Sequence, residues 1–130
     1  MAKYLGIDYG AKRVGVAVSD ERGAVAFPRE ILKNDKTLAE RIGAFVRDEH
    51  IGVIVIGESK DKDGNDNLIM AEARQFALTL QKALPVAVEF EPEYYSSVEA
   101  RRDANGSFVD ARAAAVILNR YLERSHGTLN

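Results

Sequence analysis

YLGIDYGAKRVGVAVSD, residues 4–20, reads as two short apolar strands, Tyr4–Ile7 and Val14–Val18, joined by the turn Asp8-Tyr9-Gly10-Ala11-Lys12-Arg13. Alternating, β-branched residues make both strands, and the second returns antiparallel to the first. Asp8 closes the first strand in an otherwise apolar segment that should be central in a sheet. An unpaired buried carboxylate is expensive, so the acid calls for a partner. Gly6, Gly10 and Gly15 around it fit tight turning or close backbone approach. Asp8 is therefore read as a metal-binding carboxylate on which other acids of the chain converge. The plainer reading is a turn residue bonding its own backbone.

Working outward, Glu21-Arg22-Gly23 is a turn and Ala24–Leu32 a third strand, whose Pro28 suits an edge or a bulge. Asp35 offers an N-cap for a helix to about Glu49, with Leu38, Ile42, Phe45 and Val46 on one face. The run Ile51–Gly57, IGVIVIG, is nearly continuous and β-branched, as in a strand buried on both faces. A polar loop, Asp61–Asn67, precedes a helix over about Leu68–Ala83 that carries Ile69, Ala73, Phe76, Ala77 and Leu80 on one face. That loop lacks the glycine a calcium loop needs at its sixth position and reads as a solvated turn.

Val86–Phe90 is a fifth strand, ended by Glu91-Pro92-Glu93. Ser96-Ser97-Val98-Glu99 has a capping-box pattern and opens a short helix. The last helix, about Phe108–Arg124, shows Ala111, Ala114, Ala115, Leu118, Tyr121 and Leu122 at helical spacing. The order β-β-β-α-β-α-β-α-α predicts an α/β fold: a mixed five-stranded sheet, three antiparallel strands then two parallel, with helices on both faces. Sites in such sheets form at the carboxyl ends of the strands.

At 130 residues the chain reads as one domain, residues 1–130, with nearly half its residues apolar. It has no cysteine, which excludes disulfides and thiolate chemistry, and only His50 and His126 to serve as imidazole ligands. A bound metal would thus be a hard cation held by carboxylates, Mg²⁺ or Mn²⁺. No apolar run is long enough to span a membrane and MAKYLGID is no signal peptide, so a cytoplasmic protein is expected. The net charge of −2 gives no global basic footprint, though a local basic face can coexist with an acidic centre.

Acids gather at strand ends: Asp8 after the first, Glu58 after the fourth, Glu91 and Glu93 after the fifth, with Asp110 at the start of the last helix. Brought to one edge, such carboxylates could hold two cations about 4 Å apart, which activate water and stabilise the leaving oxygen in phosphodiester hydrolysis. Asp110 could equally complete a capping box from Ser107, and Glu58 and Glu93 could be solvated loop acids. Lys12 and Arg13 beside Asp8, Lys60 after Glu58, and Arg101, Arg102 and Arg112 near Asp110 are candidates to bind nucleic-acid phosphates. A solvated charged face is the alternative for all of them.

GIDYGAKRVGVAVSD, with VEARR and VDARAAAVILNRYL, resembles the YqgF family over essentially the whole chain. The resemblance implies an RNase H-like fold and a Holliday-junction resolvase, a type also described as a pre-16S ribosomal RNA nuclease. Asp8 and Asp110 match the family's metal-binding acids, and Glu93 the glutamate of its Asp-Glu-Arg triplet. Here that triplet is Pro92-Glu93-Tyr94, and the usual Gly-Leu-Pro after the fourth strand is Gly57-Glu58-Ser59. Glu58 lies near where more distant resolvases of the fold place their second acid, so it is a candidate to replace or supplement Glu93.

The expected activity is metal-dependent endonucleolytic cleavage of structured nucleic acid, processing the 5′ end of precursor 16S ribosomal RNA, or branched DNA as the alternative. A non-catalytic nucleic-acid-binding or ribosome-assembly module is a further alternative. An Asp-x-Gly hairpin also opens actin-like ATPases and sugar kinases, but those need two such domains and a second nucleotide loop. A resolvase acting on a two-fold junction would be a homodimer, whereas a ribosomal RNA nuclease could be a monomer.

Overall fold

The computed structural model describes residues 3–59, 63, 65, 68–93 and 111–127. Its elements are β1 (Lys3–Tyr9), β2 (Arg13–Ser19), β3 (Ala26–Lys33), α1 (Leu38–Glu49), β4 (Ile51–Ser59), α2 (Ile69–Ala83), β5 (Ala87–Glu93) and α3 (Ala111–Gly127). The five strands form one sheet in the order β3-β2-β1-β4-β5. β1 pairs antiparallel with β2, and β2 with β3; β1 pairs parallel with β4, and β4 with β5. The mixed sheet expected from the sequence is present, with β1 at its centre.

Strand periodicity splits the core in two. Leu5, Ile7, Val14, Val16, Ile54 and Ile56 turn to one face and pack with Leu38, Ile42 and Val46 of α1 and Ala77 and Leu80 of α2. Ala17 and Val55 turn to the other face and meet Ala114, Ala115, Ile117, Leu118, Tyr121 and Leu122 of α3. The second face is built from small residues, and α3 therefore lies close. A Cβ added at Gly6 would sit 2.8 Å from Leu118 Cβ and 2.9 Å from the Ala114 carbonyl oxygen. Gly6 is thus a close-approach glycine. Positive φ falls on Gly23, in the β2–β3 turn, and on His50, the C-cap of α1.

Both edge strands carry a proline, where a missing N–H costs least. Pro28 in β3 sits beside a register shift between Val16 and Ala17. Pro92 does not end β5: the strand continues through Glu93, with Gly57↔Glu91, Glu58↔Pro92 and Ser59↔Glu93 paired. An edge position makes that extension possible, because among the described residues β5 bonds only β4.

Three local expectations need adjustment. α1 begins at Leu38, since the Asp35 carboxylate instead accepts from the Thr37 amide (2.9 Å) and hydroxyl (2.6 Å). In α2, Met70 rather than Ile69 is buried. In α3, Ile117 joins the buried face, whereas Ala111 is only partly buried. The short helix expected at Ser96–Glu99 lies outside the described residues. Among the described residues, no helix is long and apolar enough to cross a membrane.

Candidate active site

Asp8 is 3% exposed on the central strand. It pairs with Gly15 of β2, and continuing the β1–β4 register past Ile7↔Ile56 sets Gly57 on its other side. Gly57 in turn pairs with Glu91. One row of the sheet therefore runs Gly15, Asp8, Gly57, Glu91. Two glycines flank the buried carboxylate, so at this row neither neighbouring strand sets a side chain beside it.

The helix over this face explains how the carboxylate is accommodated. Ala114 and Leu118 lie over Gly6, and the Tyr121 ring lies 5.9 Å from that of Tyr4. α3 thus runs against β1, and its start at Ala111 is carried toward Asp8. A helix N-terminus has a partial positive charge and unsatisfied N–H groups, both favourable to an anion.

Glu91, 6% exposed, lies two strands from Asp8, roughly 10 Å between Cα atoms at the usual strand spacing. Its carboxylate is ion-paired with Arg124 of α3. Arg124 also stands over the Tyr121 ring, 5.9 Å from its centroid. Burial, with Glu89 beside it, raises the Tyr121 hydroxyl above the usual tyrosine range. Glu91 is among the strand-end acids named from the sequence, but its partner Arg124 and the neighbouring Glu89 are not. VEFEPE carries the signal for Glu89, since Val88 and Phe90 alternate with Glu89 and Glu91 and one face of β5 is acidic.

Glu58 is not brought to Asp8. The alternation of Ile54 and Ile56 toward α1 and α2 continues to Glu58, which ion-pairs with Arg74 of α2 at 2.8 Å. Asp8, in the phase of Gly6, belongs to the α3 face. A buried strand end offers only two faces, and Glu58 took the other.

Of the remaining candidates, Glu93 ends β5 opposite Ser59, and its side chain lies outside the described atoms, as do Asp110, Lys60, Arg101 and Arg102 altogether. Lys12 is exposed in the turn after β1, Arg13 at the start of β2, and Arg112 in the first turn of α3. These three share the carboxyl end of β1. The Asn34 amide group fastens the turn by donating to the Gly10 carbonyl at 2.8 Å, while the Asn34 backbone N–H donates to that of Lys12 at 2.9 Å. Among the described residues no group of three His, Cys, Asp or Glu side chains is placed to hold a metal. Asp8 itself fits a hard cation: a buried oxygen donor at a strand end, between residues without side chains.

Residues 2–124 match the model of RuvX, described as a Holliday junction resolvase. The chain belongs to the RuvX family. This is the YqgF resemblance read from the sequence. A relative from Nitratidesulfovibrio vulgaris (strain Miyazaki F) is 36% identical over 120 residues, covering 90% of this chain and 84% of its own. One from Maridesulfovibrio salexigens is 31% identical over 135 residues, covering 95% and 99%. Both are named "Putative pre-16S rRNA nuclease". Among solved structures, RuvC of Thermus thermophilus superposes with a TM-score of 0.63 at 17% identity, covering 97% of each chain. The fowlpox virus Holliday junction resolvase gives 0.56 at 15% identity, covering 94% and 99%. The fold of this RuvX-family chain is RNase H-like.

Proposed function

We propose that the chain is a cytoplasmic, divalent-metal-dependent endonuclease that matures the 5′ end of precursor 16S ribosomal RNA. The observation that carries this reading is Asp8, a buried carboxylate at the carboxyl end of the central strand, faced by glycines and by the start of α3. Relatives named for pre-16S ribosomal RNA, 31–36% identical over nearly the whole chain, support the substrate. Branched DNA is the second reading, favoured by the family's description as a Holliday junction resolvase.

Asp8, Glu93 and Asp110 would hold Mg²⁺ or Mn²⁺. Glu93 follows Glu91 by two residues in β5, and Asp110 directly precedes Ala111, where α3 begins, in the chain. When bound, the cations supply an activated water and charge neutralisation at the leaving oxygen. Asp8 would offer a carboxylate oxygen to the metal. Lys12, Arg13 and Arg112 bind backbone phosphates and orient the strand to be cut, as charged side chains at exposed positions do without reading sequence.

The test is cleavage of a ribosomal RNA precursor and of a four-way DNA junction, each with and without Mn²⁺, beside Asp8→Asn. Metal-dependent cleavage that vanishes in the variant is expected, with the RNA preferred. Cleavage that survives Asp8→Asn would overturn the assignment of the site. A folded protein that cuts neither substrate and binds Mn²⁺ weakly would be a binding module.

A further inference from the structure

We propose that Glu58 and Arg74 are positioning residues, which hold the carboxyl half of the edge strand β5, and with it the backbone of Glu93, in register beside β4. The inference rests on the reading of Glu93 as a metal ligand given above. β5 is weakly secured on its own account: among the described residues it bonds a single neighbour, and Pro92 cannot donate to the ladder. Its last pairs, Glu58↔Pro92 and Ser59↔Glu93, are those next to the proposed ligand.

Three elements meet at this point. Glu58 of β4 accepts from the Arg74 guanidinium of α2 at 2.8 Å, and the same guanidinium lies 5.0 Å from the centroid of the Phe90 ring of β5. That is within cation–π range, and Arg is the side chain whose planar group can bond a carboxylate at its edge while stacking by its face. Phe90 pairs with Ile56, two positions before Glu58 on β4. Arg74 therefore ties the last turns of both strands to α2. The Ser59 amide adds a third tie to α2 by donating to the Met70 sulfur at 3.2 Å. On the opposite face, Arg124 of α3 takes Glu91. An arginine thus holds β5 from each side, and the one from α2 is itself fixed by Glu58 of β4.

The assignment separates two roles for Glu58. As a ligand it would have to reach the Asp8 face, and no arginine could replace it. As a positioning residue it needs only an opposite charge across from it. The experiment uses the full chain with Glu58→Gln, Arg74→Gln and the exchanged pair Glu58→Arg with Arg74→Glu, read by amide hydrogen exchange along β5 and by Mn²⁺ titration. Each single variant is expected to speed exchange in the carboxyl half of β5 severalfold, leaving β1 and β2 unchanged. Each should also weaken Mn²⁺ binding by about tenfold, as loss of an outer partner of a metal site does. The exchanged pair should recover much of both. Unaltered exchange in β5 would overturn the proposal. So would an exchanged pair that binds Mn²⁺ no better than Asp8→Asn, since Glu58 would then be a ligand. If the unaltered protein binds no Mn²⁺, the nuclease reading fails while the exchange data still decide the clamp.

Discussion

The two faces of the sheet are built on different principles. Toward α1 and α2 the strands present Leu5, Ile7, Ile54 and Ile56, large side chains that close a dry core. Toward α3 they present Gly6, Ala17 and Val55, and the helix answers with Ala114 and Ala115. Large residues hold layers about 10 Å apart, whereas small ones let backbone approach backbone. The difference teaches why the buried acid is on one face only. Only where the helix comes close can its N-terminal end reach the carboxyl end of β1. Among the described residues, the insulating face has an ion pair at its margin, Glu58 with Arg74, and no buried acid beneath its helices.

The sharpest way to break the contrast is Asp8→Asn. Metal-dependent cleavage should fall by at least on the order of 100-fold, the upper end of what losing even an outer partner costs. Thermal unfolding should move little, because an amide of the same shape replaces the acid. Ile54→Ala on the other face should do the reverse. A cavity beneath α1 and α2 should cost about 2–5 kcal/mol in denaturant titration, with cleavage by the folded fraction retained.

Gly6→Ala tests the close approach. A methyl group 2.8 Å from Leu118 Cβ and 2.9 Å from a backbone oxygen must push α3 outward, costing about 1–3 kcal/mol. Because the displaced helix begins at the site, cleavage should fall more than stability explains, and comparing rate with melting temperature checks this.

The smallest effect belongs to the far end of the sheet. Hydrogen bonding from Lys3, with Arg29 nearby, holds the Glu49 carboxyl below its ordinary value of 4.5. A depressed folded-state value means the pair stabilises above the unfolded glutamate range and loses that contribution as pH falls through the folded value. Melting temperature should therefore fall less steeply below pH 4.5 in Glu49→Gln than in the parent, by an amount equivalent to about 1 kcal/mol or less. Activity at neutral pH should be unchanged.

Much of the fold could be read from local patterns. The alternation around Asp8, the run IGVIVIG and the helical spacing in α3 each name their element, and Pro28 was read as marking an edge or bulge. Pro92 misled in one respect, since it reads as a strand end but sits inside an edge strand. Glu58 misled more. Glu58 follows a continuous apolar run, and nothing nearby in the chain says which side of the sheet it occupies, whereas the alternation in VEFEPE sets Glu91 opposite Val88 and Phe90 without saying which helix covers it. Arg74 and Arg124, the partners that decide it, lie on helices distant in sequence.

The sequence by itself determined the order of elements, the central place of the first strand, the acid at its end, and the lack of any cysteine thiolate, because periodicity and residue type are local properties. The tertiary structure alone decided which acids share a face. A strand has a period of two, so a shift of a single residue reverses a side chain's direction. The register that sets Asp8 in line with Gly57 and Glu91, and turns Glu58 away to Arg74, exists only once β1, β4 and β5 have paired across the chain.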